Sequence, residues 1–133
     1  MNRTESMQRI FSYTRTIAVV GYSNRPERAG HYVPAYLQQQ GYRIIPVNPT
    51  LEEGLGEPAY PDLLAVPEAV DLVLLFRRSE DVPPAVEQAV QIGAKAVWMQ
   101  SGIINEAAAQ HAHAAGLDVV MDACMMVEHR ARA

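Results

Sequence analysis

Cysteine is nearly absent: Cys124 is the only one in 133 residues. A lone cysteine excludes a disulfide framework, and it excludes zinc sites built on paired cysteines. Lysine is almost missing as well, since Lys95 is the single lysine among 11 basic residues. The formal net charge of −4 argues against a nucleic-acid binder that relies on a broadly basic surface. No stretch approaches the roughly 18 uninterrupted apolar residues of a membrane span. The polar start Met1-Asn2-Arg3-Thr4-Glu5 leads into no signal-type apolar run. The expectation is a soluble, cytoplasmic protein that engages neither nucleic acid nor membrane.

What is present is enough apolar residue for a core. A chain of this length reads as one domain, residues 1–133, able to bury about two thirds of the surface its unfolded form exposes. Five short runs, Thr16–Val20, Tyr42–Pro46, Asp71–Leu75, Lys95–Met99 and Leu117–Met121, are rich in Val and Ile and apolar nearly throughout. Such runs predict strands covered on both faces. Helical spacing fills the intervals over Arg3–Thr14, Gly30–Gln40, Val82–Ile92 and Asn105–Ala115, and Cys124–Arg130 predicts a short closing helix or tail over 122–133. Gly41, Gly93 and Gly116 follow three of these as left-handed stops. Pro49–Pro67 is proline-rich and predicts a long structured loop with one turn near Leu63-Leu64. Strands alternating with helices imply right-handed crossovers. The predicted fold is α/β: a Rossmann-type, three-layer, doubly wound parallel sheet of five strands in the order 3-2-1-4-5, preceded by an N-terminal helix within residues 1–15.

An open sheet of this kind binds its ligand beyond the carboxyl ends of its strands. Those ends carry Gly21, Tyr22, Ser23, Arg25, Pro26 and Arg28 after the first strand, and Val47, Asn48 and Pro49 after the second. Phe76, Arg77 and Arg78 follow the third, and Gln100, Ser101, Gly102 and Ile103 follow the fourth. Four arginines therefore gather at one edge of an acidic chain. Guanidinium forks match phosphate oxygens in charge and geometry, and the loop entering the second helix adds backbone N–H groups to the same place. A phosphate-bearing ligand is expected.

The dinucleotide fingerprint G-x-G-x-x-G needs an acid at the end of the second strand. Here Ser23 and Pro26 replace the later glycines, and Pro46-Val47-Asn48-Pro49 holds no carboxylate. An NAD- or nucleotide-sensing regulator is therefore the weaker alternative. The Walker pattern is missing, which argues against ATP or GTP hydrolysis.

At these residues the chain resembles the small stand-alone CoA-binding proteins of the CoA-binding domain superfamily, whose fold is similar to the nucleotide-binding domain of the succinyl-CoA synthetase α subunit. The resemblance runs from about residue 10 to 129. It is carried by Ala18–Ser23 with Pro26 and Arg28, by Gly41–Pro49, by Val70–Val73 leading to Phe76-Arg77, by Ile92–Gln100, by Gly102–Glu106 and by Gly116–Asp122 with Cys124 and Glu128. It implies that coenzyme A, or an acyl-CoA, lies across the carboxyl edge. On that reading Gly21–Arg28 holds phosphate, Val47–Pro49 and Phe76–Arg78 flank the nucleotide, and Gln100–Ile103 approach the pyrophosphate or pantetheine arm. Two positions depart from the family pattern: Ala123 stands where an arginine is usual, and Gly30 where a serine is common.

Chemistry beyond binding has one candidate, Cys124, with Glu128 and His129 four and five residues on. Beside Glu128 the thiol would be disfavoured as a thiolate; paired with His129 it would serve a CoA-linked thioesterase or a thiol-exchange enzyme. A buried structural cysteine is the plainer reading. His111 and His113 point about 200° apart on a helix and cannot share a metal, so no metal is assigned. The sequence favours a binding protein over an enzyme acting alone. Apolar surface on so small a domain would be covered by a second copy or by another protein partner, and nothing in the sequence fixes a stoichiometry.

Overall fold

The apolar runs become strands in a computed structural model that describes residues 2–132. In chain order the elements are α1 (Arg3–Tyr13), β1 (Thr16–Val20), α2 (Ala29–Gln39), β2 (Arg43–Val47), the two-residue strands β3 (Glu53–Gly54) and β4 (Glu57–Pro58), β5 (Leu72–Leu75), α3 (Val82–Gln91), β6 (Ala96–Met99), α4 (Glu106–Ala114), β7 (Asp118–Val120) and α5 (Met125–Arg132). Five of the strands form one sheet in the order β2-β1-β5-β6-β7, every pair parallel. β3 and β4 form a separate antiparallel hairpin.

Successive side chains of a strand point to opposite faces, and that alternation splits the core in two. Ala18, Val20, Ile45, Val47, Val73, Leu75, Val97 and Met99 face α3, α4 and a 3-10 turn at Leu63–Ala65. Ile17, Val19, Ile44, Leu72, Leu74, Trp98 and Val120 face α1, α2 and α5. Each fully buried Val, Leu or Ile contributes about 1.5–3 kcal/mol relative to exposure. The helices match with apolar stripes at helical spacing: Met7 and Ile10 on α1, Val33 and Leu37 on α2, Val82, Val86 and Ala89 on α3. The predicted three-layer, doubly wound architecture is the observed one.

The strand order differs in one place. Counting the main strands along the chain, the order is 2-1-3-4-5, so the third lies against the first on the side away from the second. The connection responsible, between β2 and β5, holds no α-helix. It forms the β3–β4 hairpin and then crosses the α3/α4 face, where the fully buried Leu63 plugs the layer that a helix would otherwise fill. Because α2 takes the opposite face, a right-handed crossover carries the chain back past β1 rather than outward beyond β2. The carboxyl ends of β1 and β5 thus adjoin at the point where the winding reverses.

Candidate functional site

The loop after β1 is built by tight backbone contacts. Gly21 has φ +84°, and its N–H bonds the Val47 carbonyl at 3.0 Å. A Cβ there would stand 2.9 Å from the Phe76 carbonyl oxygen, so β5 can approach only a glycine. Tyr22 is fully buried beneath the β3–β4 hairpin, against Gly54, and burial pushes its phenol pKa up. Its hydroxyl bonds Asn24 Oδ1 at 3.0 Å, while Asn24 Nδ2 donates to the Glu53 carbonyl at 2.8 Å. The hairpin therefore clamps the loop from outside. From inside, Asn48 Nδ2 donates to the Tyr22 carbonyl at 2.8 Å, and Asn48 Oδ1 accepts from Thr50 N–H at 2.9 Å.

Pro34 completes the loop in an indirect way. It lies inside α2 and has no N–H to give the Gly30 carbonyl four residues back. That carbonyl instead accepts the Ser23 N–H at 3.1 Å. At the start of α2 no side chain caps the helix, and the Ala29 and Gly30 N–H groups have no partner among the described residues. Free N–H groups at a helix start attract anions.

Around this cradle lies a cleft of about 490 Å³ lined by Gly21, Tyr22, Ser23, Arg25, Arg28, Ala29, Gly30, Asn48, Phe76 and Arg77. Arg25 pairs with Glu27 at 3.1 Å on the surface. Arg28 and Arg77 have no acidic partner among the described residues. Arg77 also borders an adjoining slot of about 170 Å³, lined by Val20, Val47, Pro49, Pro61, Leu63, Pro84 and Ala85 with Asp62, Asp81 and Gln88.

Eight of the expected residues (Gly21, Tyr22, Ser23, Arg25, Arg28, Asn48, Phe76 and Arg77) thus converge on the cleft, and Val47 and Pro49 on the slot. Pro26 lies within the loop but lines neither. Arg78 turns away to Asp81 at 3.1 Å and Glu80 at 3.6 Å. Gln100 is buried and accepts the Met125 N–H at 3.1 Å, holding the start of α5. Gly102 N–H goes to Asp122 Oδ1 at 2.7 Å, and neither Ser101 nor Ile103 lines the cleft or the slot. The slot residues Pro61, Leu63, Pro84 and Ala85 escaped the sequence reading. Their signal was present as prolines beside apolar residues, but it reads equally as loop chemistry.

Cys124 stands apart from the cleft, half-buried against the α1/α2/α5 core. Its expected partners are engaged elsewhere. His129 Nδ1 bonds the Tyr36 hydroxyl at 2.7 Å among the rings of Phe11, Tyr36 and Tyr42. Glu128 pairs with Arg132 at 3.2 Å. His111 pairs with Glu87 of α3 at 2.7 Å.

Fold and cleft together define a Rossmann-type domain with an arginine-lined cleft at its switch point. Residues 15–130 match the model of the CoA binding domain family, and the chain belongs to that family. It is 42% identical to the Bacillus subtilis protein YneT over 123 residues, covering 92% of this chain and 91% of YneT. It superposes on a protein of Pyrococcus horikoshii with a TM-score of 0.91 at 41% identity, covering 96% of this chain and 89% of that one. It is also 37% identical over 82 residues to an ADP-forming acetate–CoA ligase of Archaeoglobus fulgidus, covering 62% of this chain and 12% of the ligase. The family match supports a general CoA-binding role.

Proposed function

We propose that the chain binds coenzyme A, free or acylated, across the carboxyl edge of its sheet, and that it acts by binding rather than by catalysis. The phosphates lie on the Gly21–Arg28 loop and the α2 N-terminus, with Arg28 and Arg77 as their countercharges. The base enters the adjoining slot, where Val47, Pro49, Pro61, Leu63 and Pro84 offer apolar contact to a ring face and Asp62, Asp81 and Gln88 offer polar groups to its edge.

One observation carries this reading. Two arginines without acidic partners face one cleft in a protein of net charge −4. CoA bears a 3′-phosphate as well as a pyrophosphate, so it can occupy both guanidinium groups. NAD lacks the extra phosphate, and Asn48, at the position where a ribose-binding acid would stand, is spent on the Tyr22 carbonyl and Thr50.

Calorimetric titration of CoA, 3′-dephospho-CoA, ADP and NAD tests the reading. CoA should bind most tightly. Arg28→Ala and Arg77→Ala should each weaken it by about 10- to 100-fold, since a hydrogen bond to a charged group contributes about 1.5–3 kcal/mol. Equal affinity for CoA and NAD, or indifference to both substitutions, would sink it.

A further inference from the structure

The two outer edges of the sheet are finished differently. On β2, Pro46 has no N–H to offer, its carbonyl accepts the Tyr60 N–H at 3.0 Å, and Asn48 N–H bonds the Tyr60 carbonyl at 2.9 Å. That edge is closed by the chain itself. On β7 nothing comparable occurs. Asp118 N–H bonds the Lys95 carbonyl at 3.0 Å, so by the two-residue alternation of a strand the N–H and C=O groups of Val119 and Met121 point away from the sheet. The β6–β7 register keeps the Val119 N–H out of the ladder, and the Met121 N–H has no backbone partner among the described residues.

Open edges are normally blunted by proline, lysine or an inward-pointing charge. The one charge on this strand is neutralised within its own chain: Asp118 is held by Arg9 at 3.2 Å and by the Tyr13 hydroxyl at 2.8 Å. Two clefts of about 470 and 340 Å³ run along the edge between α1 and α4 and meet at Val119 and Met121. Open backbone groups and apolar side chains therefore lie in one channel.

The charges beside the channel select the occupant. Glu106 opens α4 next to the Met121–Asp122 end, and His113 closes it next to the Leu117–Asp118 end. Both are exposed, and neither has an ion-pair or hydrogen-bond partner among the described residues. An isologous two-fold contact pairs unlike ends of one surface. With the axis through Val120, Val119 faces the partner's Met121, and each Glu106 faces the partner's His113. The α4 helices then run antiparallel, so the negative end of each dipole meets the positive end of the other.

We propose that the β7 edge is a self-association surface on which a second copy of this chain adds its β7 antiparallel, extending the sheet across the two-fold axis. An unrelated extended peptide would satisfy the backbone groups but not the reciprocal Glu106 and His113, so self-complementarity favours the second copy.

Light scattering coupled to size exclusion, over a wide concentration range, tests the proposal. The natural chain should be a dimer that dissociates on dilution. Val119→Pro removes an outward N–H that the fold does not use, a replacement edge strands tolerate. It should weaken association by at least about tenfold, equivalent to ~1.4 kcal/mol. His113→Glu sets two carboxylates against each other and should weaken it likewise, while adding Glu106→Lys to that variant should restore the dimer. The charge-reversed pair remains decisive even if Val119→Pro disturbs folding, because both of its positions are exposed. A monomer at every concentration overturns the proposal, as does a dimer that ignores the α4 charge changes.

Discussion

Pro34 shows how one residue shapes the site without touching it. Proline within a helix costs about 3 kcal/mol relative to alanine, and here its missing N–H leaves the Gly30 carbonyl free for Ser23. Gly30 lies so close to Gly21 that a Cβ on it would meet the Gly21 carbonyl oxygen at 2.9 Å. Pro34→Ala restores an N–H that competes with Ser23 for the Gly30 carbonyl. The variant should therefore melt at a higher temperature than the natural chain while binding CoA several-fold more weakly. Thermal denaturation and calorimetry measured on the same sample check both halves. A gain in stability without loss of affinity would detach Pro34 from the loop. The helical spacing over Gly30–Gln40 spans Pro34 without revealing this consequence, which depends on Ser23, eleven residues away in the loop after β1.

At the scale of elements, Asp71 ties strand starts together at the amino edge. One carboxylate oxygen accepts the N–H groups of Arg15 and Thr16, each at 3.0 Å, and the other meets Lys95 Nζ at 3.3 Å. Burial works to raise its pKa, but the two N–H donors and Lys95 outweigh it and hold the carboxyl below its ordinary 3.8. Because the folded pKa is depressed, the stabilisation is fully present above the unfolded value and is lost as pH falls through the folded one. Asp71→Ala should cost about 1–3 kcal/mol at neutral pH, the penalty of unsatisfied donors. Urea titrations should show that gap closing below pH 3.8. A gap independent of pH would assign Asp71 to packing alone. The strands themselves were legible from their apolar runs to within a residue or so at each end, Thr16–Val20 without any shift. Their lateral order was not. Apolar runs report burial on both faces, whereas the order depends on which face each connection crosses, and the helix-free β2–β5 segment leaves no period to read.

For the whole molecule, the reversal of winding between β1 and β5 brings Gly21–Arg28 and Phe76–Arg77 together although some fifty residues separate them. The cleft was legible because strand-end position alone decides which loops meet at the carboxyl edge. Arg78, Gln100 and Gly102 were expected there too, yet the fold spends them on Asp81, Met125 and Asp122, partners that no linear spacing identifies. A ligand held by loops of two strands stabilises the folded state as a unit, because the unfolded chain has no cradle to offer. At a CoA concentration of about 100 Kd, mass action adds about 2.7 kcal/mol to the folded state. For a chain of this size that raises the melting temperature by about 8–10 °C. The Arg28→Ala and Arg77→Ala variants, at the same CoA concentration, should keep only about 1.4 to 0.4 kcal/mol of this gain, because by the same mass action a 10- to 100-fold weaker affinity lowers the CoA concentration to about 10 to 1 Kd. Their melting temperatures without ligand should stay within about 2 °C of the natural chain, since neither side chain has a partner to lose and surface changes of this kind are usually within ±0.5 kcal/mol. Differential scanning fluorimetry with CoA, ADP and buffer alone reads both effects. A shift that ADP reproduces in full would assign the cradle to the pyrophosphate alone and leave the 3′-phosphate without a place on the protein.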